Sequence, residues 1–336
     1  MTRQLLAGSE AIAESAIAAG CRFFAGYPMT PFTELLEHFA KRLPDVGGVC
    51  VNAESELEAV GMAWGALATG ARAATGSTGQ GLALMQESLS EITRAELPLV
   101  VFNMARGQAD YYQATRGGGH GDYRHIVLAP VDVAEGVALT QLAFDLADRW
   151  RNPVLIYGDY LLAHTREALA IEPLPFAPLP PKEWAVDGSL GGTGRSRNLN
   201  PIGMAKGQKG IDPEPFWKRL AAKHDEIALA EPRFEAETVE DADLVVVAFG
   251  TLARFARYVV RELRRVAAGA RRIAVLEQNA GQMIDDVRLA VLERAPVVAI
   301  GGISSDAAGF GVGPLLDPDN VRARVESALA GREVSP

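Results

Sequence analysis

The apolar positions of this chain fall into two patterns. Short solid runs read as strands buried on both faces, and longer stripes with a 3.6-residue period read as helices laid against them. A helix is predicted at 8–20, opened by Gly8-Ser9-Glu10 and closed by Gly20. A strand follows at 21–26, then a turn at Tyr27-Pro28-Met29-Thr30-Pro31, because a residue before proline is pushed out of the helical region. The alternation continues with helix 32–42, strand 47–51, a helix to Gly70, strand 71–75, a glycine loop at 76–81, helix 82–96 and strand 97–103. Residues 104–125 have no period and contain three consecutive glycines; a loop of that length in a compact domain is often functional. Helix 132–150 and strand 153–157 complete the unit. The order β-α-β-α-β-α-β with solid apolar strands predicts an α/β fold, a doubly wound parallel sheet.

Residues 172–215 are rich in proline and glycine and read as a linker or an arm wrapping a partner. A smaller α/β unit follows, with strands at 244–249, 272–277 and 296–300, helices at 251–268 and 281–293, and a terminal helix at 317–329. The expected division is a first domain at 1–171, a linker or extended arm at 172–238 and a second domain at 239–336.

One stretch concentrates candidate chemistry. Glu54, Glu56 and Glu58 precede a run without charge, from Ala59 to Ala71. A helix apolar on every side is expected to be buried. Acids in a first turn complement the helix dipole, at about 0.3–1 kcal/mol each when exposed. One of the three could instead be carried inward, where a carboxyl can share a proton. Glu56 sits above Ala59, Val60, Ala63 and Leu67, and Glu58 above Gly61, Met62 and Gly65. Periodicity does not choose between them.

Composition narrows the function. The chain has 336 residues, 48 % hydrophobic and 22 % charged, which fits two globular domains. Its net charge of −9 argues against a nucleic-acid binder. Two cysteines, Cys21 and Cys50, cannot hold an iron–sulfur cluster. Without a signal-peptide core or an apolar run long enough to span a bilayer, a cytoplasmic protein away from membranes is expected. The loop Gly76-Ser77-Thr78-Gly79-Gln80-Gly81 could cradle a phosphate or could be a tight strand-to-helix turn. Asp159, in Tyr157-Gly158-Asp159-Tyr160, reads as a strand-end turn, and the histidines lack metal-ligand spacing, so no metal site is expected in this chain. Arg106 follows a buried strand at the edge where parallel sheets bind ligands, or else pairs with Asp110 at the surface. Thr30 lies on the same edge and could cap the next helix. Thr30, Glu56 and Arg106 thus fall at the carboxyl ends of three strands.

The runs GSEAIAESAIAAGCRFFAGYPMTPFTEL and ESELEAVGMAWGALATGARAATGSTGQGLALMQE resemble the alpha subunit of 2-oxoacid:ferredoxin oxidoreductases of the 2-oxoisovalerate and 2-oxoglutarate types. YQATRGGGHGDYRHIVLAP, RNPVLIYGD and LEQNAGQMIDDVRLAV continue the likeness. The resemblance implies a thiamine-diphosphate pyrimidine-binding domain plus a transketolase-C-terminal-like domain. It implies oxidative decarboxylation of a 2-oxoacid to acyl-CoA, with electrons passing to ferredoxin. It assigns Glu56 to N1′ of the aminopyrimidine, Thr30 and Arg106 to the substrate, and Pro28, Ser77, Thr78 and Gly79 to the cofactor wall. It also places the diphosphate, its Mg²⁺ and an iron–sulfur cluster on a beta subunit, so a hetero-oligomer is expected, with coenzyme A as a further substrate. The chain departs from the family in a short passage from Arg106 to Asp110-Tyr111-Tyr112, and in residues 267–272, where the family has a further segment. A non-oxidative thiamine-diphosphate decarboxylase or carboligase subunit and a non-catalytic assembly subunit are the alternatives.

Overall fold

The computed structural model describes residues 3–186, 213–237, 242–263, 269–291, 295–304 and 317–332. Residues 187–212 of the stretch read as an arm, and 267–268 of the passage 267–272, lie outside them. The elements are β1 (Gln4–Ala7), α1 (Gly8–Ala18), β2 (Phe23–Gly26), α2 (Thr33–Arg42), β3 (Val49–Asn52), α3 (Glu56–Ala68), β4 (Ala73–Ser77), α4 (Gly79–Arg94), β5 (Val100–Ala105), α5 (Tyr111–Thr115), β6 (Ile126–Leu128), α6 (Val133–Trp150), β7 (Val154–Asp159), α7 (Tyr160–His164), β8 (Arg166–Leu169), α8 (Pro213–Ala230), β9 (Ala242–Ala248), α9 (Gly250–Leu263), β10 (Gly269–Leu276), α10 (Met283–Val291), β11 (Val297–Ala299) and α11 (Pro318–Leu329).

Six strands form a parallel sheet in the order β3-β2-β4-β5-β7-β6. Both faces are covered, which is why β4, β5 and β7 are buried at every position. On one face α1, α2 and α6 close a core around Phe24, Phe39 and Phe102, with Phe24 and Phe39 stacked at 4.0 Å between ring centroids. On the other face α3 and α4 bury Val60, Leu67, Leu82, Met85 and Leu89 against Val101 and Leu155. The chain crosses from β2 to β3 on one side and returns to β4 on the other. That reversal opens a crevice at the carboxyl ends of β2 and β4, where such sheets bind ligands. A second parallel sheet, β11-β10-β9, carries α9 and α11 on its own core of Leu252, Val259, Leu276 and Val325.

Several expectations need correction. Helix α3 is not buried on every side: Leu57 is 49 % and Met62 41 % exposed, and a Cβ at Gly61 or Gly65 would meet nothing within 4 Å. Beyond its first turn α3 carries uncharged side chains all round, but among the described residues only one side of it has a neighbour. Helix α4 begins at Gly79, so the second half of the predicted glycine loop is helical and its first two residues end β4. The irregular stretch 104–125 holds the short helix α5, and β6 follows it as a sixth strand. The antiparallel pair β1–β8 is additional. Within the stretch read as an extended arm, α8 is an 18-residue helix.

Charge holds α8 in place. Glu96 accepts both guanidinium N–H groups of Arg219 at 2.9 Å and the ammonium of Lys223 at 3.2 Å, while Arg151 donates to its carbonyl at 3.0 Å. Glu96 and Arg151 adopt left-handed backbone, φ 52° and 49°, to meet there. Burial pushes the Glu96 carboxyl up, but Arg219, Lys223 and Arg151 outweigh it and hold it at about 2. Burial likewise depresses His125 and His224 to about 4, aided by the charge of Lys223 on His224. A histidine depressed below its ordinary 6.5 lends stability that is full above 6.5 and lost as the pH falls toward 4. The Glu96 contribution is full above about 4.5 and lost toward 2. Acidification from pH 7 to 4.5 is therefore expected to loosen α8 through the histidines before Glu96 protonates. Amide exchange of α8 against pH checks this, and His224→Gln should flatten the upper part of the profile.

Candidate active site

The structure separates the three acids. Glu54 and Glu58 are exposed, and the Ser55 hydroxyl holds Glu58 outward. Glu56 is 3 % exposed. It is the first residue of α3, and its Oε1 accepts a 2.8 Å hydrogen bond from Ser77 Oγ at the end of β4. Its Oε2 has no hydrogen-bond partner among the described residues. Gly81 makes this pair possible. A Cβ there would lie 2.1 Å from Ser77 Oγ and 2.3 Å from Glu56 Oε1, so only glycine lets α4 run this close.

The start of α4 is occupied by a carboxyl of the same chain. A Cβ at Gly79 would lie 2.0 Å from Asp110 Oδ1. Asp110 accepts from Asn103 Nδ2 at 3.3 Å and from Gln113 Nε2 at 3.0 Å. Burial raises its pKa, opposed by those two bonds and by the charge of Arg106. Anion and helix N-terminus attract one another, and here Asp110 fills the place that the glycine-loop reading gives to a phosphate. Ser77 and Thr78 are buried. The Thr78 hydroxyl lies 2.9 Å from Met29 Sδ and 3.1 Å from Gln80 Oε1.

Thr30 and Pro28 are exposed on the turn after β2. Thr30 does not cap α2, which starts at Thr33 behind Phe32. Its carbonyl accepts from Arg106 Nε at 3.3 Å, so the turn after β2 and the residue after β5 meet across the crevice. Arg106 also lies near enough to Asp110 to lower its pKa, so the surface-pair reading of Arg106 contains part of the geometry. Asp159 is a strand-end turn as expected: it accepts from Leu162 N at 2.8 Å and takes the hydroxyl of Thr251.

The sequence reading missed a polar row beneath these groups. Ser77, Asn103 and Tyr157 are paired across β4, β5 and β7 and are all buried. A polar residue in the second half of each of three apolar strands was the available signal. The glycine run has a structural reason. Gly118 N and Gly119 N donate to the Tyr123 hydroxyl at 2.9 and 2.7 Å, and that hydroxyl donates to Gln86 Oε1 at 2.7 Å. A Cβ at Gly117 or Gly119 would stand 2.4 Å from the hydroxyl or from the Gln86 carbonyl. Among the described residues no group of three or more His, Cys, Asp or Glu side chains could hold a metal ion, and no helix is long and apolar enough to cross a membrane.

The fold thus joins a six-stranded parallel sheet, with a buried carboxyl at its switch point, to a smaller parallel α/β unit. The family model described as pyruvate flavodoxin/ferredoxin oxidoreductase, thiamine diphosphate-binding, matches residues 14–177. The chain belongs to the family of 2-oxoacid:ferredoxin oxidoreductase subunits, enzymes that work as complexes. It is 35 % identical over 323 residues to ketoisovalerate oxidoreductase subunit VorB of Methanothermobacter marburgensis, covering 86 % of this chain and 90 % of that one. It is 31 % identical over 369 residues to 2-oxoglutarate synthase subunit KorA of Archaeoglobus fulgidus, covering 98 % and 100 %. The fold matches 2-oxoglutarate:ferredoxin oxidoreductase from Magnetococcus marinus, solved with 2-oxoglutarate, coenzyme A and succinyl-CoA, with a TM-score of 0.82 at 23 % identity. That match covers 98 % of this chain and 65 % of the Magnetococcus chain.

Proposed function

We propose that this chain supplies the aminopyrimidine-binding half of a thiamine-diphosphate site and that a partner chain completes it. The observation that carries the proposal is Glu56, a carboxyl buried at the switch point and fixed at one oxygen by Ser77. The residues fit the group. A carboxyl removed from water is suited to hold or share a proton with a ring nitrogen, and N1′ of the aminopyrimidine is such a nitrogen. By the resemblance to the family, Pro28, Ser77, Thr78 and Gly79 would form the wall for the cofactor. When bound, thiamine diphosphate supplies the nucleophilic carbon that adds to a keto group.

This chain's residues then have distinct tasks. Glu56 holds the proton at N1′, and Ser77 keeps that carboxyl in one orientation. Thr30 and Arg106, joined across the crevice, receive the 2-oxoacid, since a guanidinium binds a carboxylate with charge and direction together. Asp110 at the start of α4 would repel a diphosphate there, which supports placing the diphosphate and its Mg²⁺ on the partner. The iron–sulfur cluster belongs there too, because Cys21 and Cys50 are too few to hold one. With coenzyme A as the acyl acceptor, the complex would oxidise a 2-oxoacid to acyl-CoA and CO₂ and pass the two electrons to ferredoxin.

The partner would cover the open side of α3 and α4. Leu57, Met62 and Leu84 are exposed there beside Gly61, Gly65 and Ala83, next to the mouth of the Glu56 site. A half-site flanked by exposed apolar side chains fits a protein partner better than solvent. The test is 2-oxoacid-dependent dye reduction, with branched-chain and dicarboxylic substrates, by this chain with and without its co-expressed partner. Activity only in the complex is expected; robust turnover by this chain alone would reject the divided site.

A further inference from the structure

The segment that carries Arg106 is held from the far side by the second α/β unit. Gln108 stands two residues beyond Arg106 and is 1 % exposed. Its Nε2 donates to the carbonyl of Phe249 at 2.9 Å, just past β9. Its Oε1 accepts from Gln278 N at 3.2 Å, just past β10, and its own carbonyl accepts from Asn279 Nδ2 at 3.0 Å. Gln282 repeats the grip one step on, donating to the Ala109 carbonyl at 2.9 Å and accepting from Tyr112 N at 2.9 Å. The carboxyl edges of the two sheets therefore face each other with this segment between them.

The gripping loop is itself fixed. The Glu277 carboxylate accepts from Gln282 N, Met283 N and Ile284 N at 3.1, 2.6 and 2.9 Å and so anchors the start of α10. A carboxylate on backbone N–H groups is a strong, directional bond. The Arg106 side chain is long and has several rotatable bonds, so what the grip fixes is its backbone, and two residues of chain leave little slack.

We propose that the second unit is the positioning element for Arg106, acting through Gln108. It would set where the guanidinium stands relative to Thr30 and hence how the substrate carboxylate is received. This rests on the reading of Arg106 as the substrate-binding arginine. Gln108 touches no reacting atom in it; its role is to place one that does.

The experiment uses the complex reconstituted with its partner. Gln108→Ala, Arg106→Ala and the double variant are compared for KM toward the 2-oxoacid and for Kd toward thiamine diphosphate. Gln108→Ala is expected to raise KM by about ten- to a hundredfold, the scale of a misplaced binding group, with cofactor affinity unchanged. In the Arg106→Ala background Gln108→Ala should add nothing, because its effect passes through Arg106. An additive effect in the double variant, a parallel loss of cofactor affinity, or an unmoved KM in Gln108→Ala alone would overturn the inference. An unmoved KM in Arg106→Ala would instead overturn the reading of Arg106, and the inference with it. If Gln108→Ala fails to fold, Asn279→Ala, which removes a grip from the opposite side, carries the same comparison with the same outcomes.

Discussion

Glu56→Gln is expected to leave the chain folded and assembled while lowering turnover of the complex by about two to four orders of magnitude, the usual weight of one acid–base group. The amide has the shape of the carboxyl and can still accept the Ser77 hydroxyl bond, so packing at the head of α3 is kept. It cannot take or return a proton. Glu58→Gln is the control. Glu58 is exposed and turned toward Ser55, so its variant should turn over at close to the normal rate. Circular dichroism establishes the fold of both, and single-turnover kinetics separate binding from chemistry. Near-normal turnover in Glu56→Gln together with a loss in Glu58→Gln would show that the wrong carboxyl has been assigned.

Gly61→Leu should split folding from assembly. Among the described residues a Cβ at position 61 meets nothing within 4 Å, and replacing a mid-helix glycine with leucine favours the helix by up to about 1 kcal/mol. The isolated chain should therefore melt at the same temperature or slightly higher. In the complex the same side chain would overpack a surface built to let another chain come close. Overpacking costs about 1–3 kcal/mol, roughly five- to 150-fold in the Kd for the partner. Thermal melts and size-exclusion titration with the partner read the two effects separately. Normal assembly of Gly61→Leu would remove the α3–α4 face from consideration.

The sheet was legible because β2, β4, β5 and β7 are solid apolar runs, and only a strand covered on both faces reads that way. β6 was not legible. It is three residues at the sheet edge, directly behind a glycine-rich loop, too short to show a period. β1 and β8 were hidden for another reason: each is four residues long, and they pair across the whole first domain. The misreading of α3 is the instructive one. Apolar periodicity reports that water is excluded from a face, without saying whether the excluding surface lies in the same chain. Position 61 looks like core in the sequence and stands open in the fold.

Within the site, the strand ends were legible and the side-chain choices were not. Thr30, Glu56 and Arg106 were placed at three strand edges, and the structure brings the Thr30 carbonyl and Arg106 together. Periodicity left Glu56 and Glu58 open, because a 100° step does not fix the depth of each on the first turn of α3; the family resemblance picked Glu56, and the structure buries Glu56 and exposes Glu58. Gly81 looked like part of a phosphate loop because glycine is permissive in many ways. Only the 2.1 Å and 2.3 Å approaches of Ser77 and Glu56 show which of its properties is in use. Gln108 gave no signal, since its partners lie in the second unit, far along the chain; Asp110 was read only as a surface partner of Arg106, and nothing nearby in sequence marks its place at the start of α4.

The run Gly117-Gly118-Gly119 has the composition of a flexible tether, yet it is cast around one phenol. Two of its amides end on the Tyr123 oxygen, which is buried beside Gln86. Those two hydrogens belong with the slowly exchanging set of the sheet rather than with the solvent-exchanging set of a surface loop. A scan of the chain by glycine content would mark as its loosest point a place where three residues are moulded to a single atom.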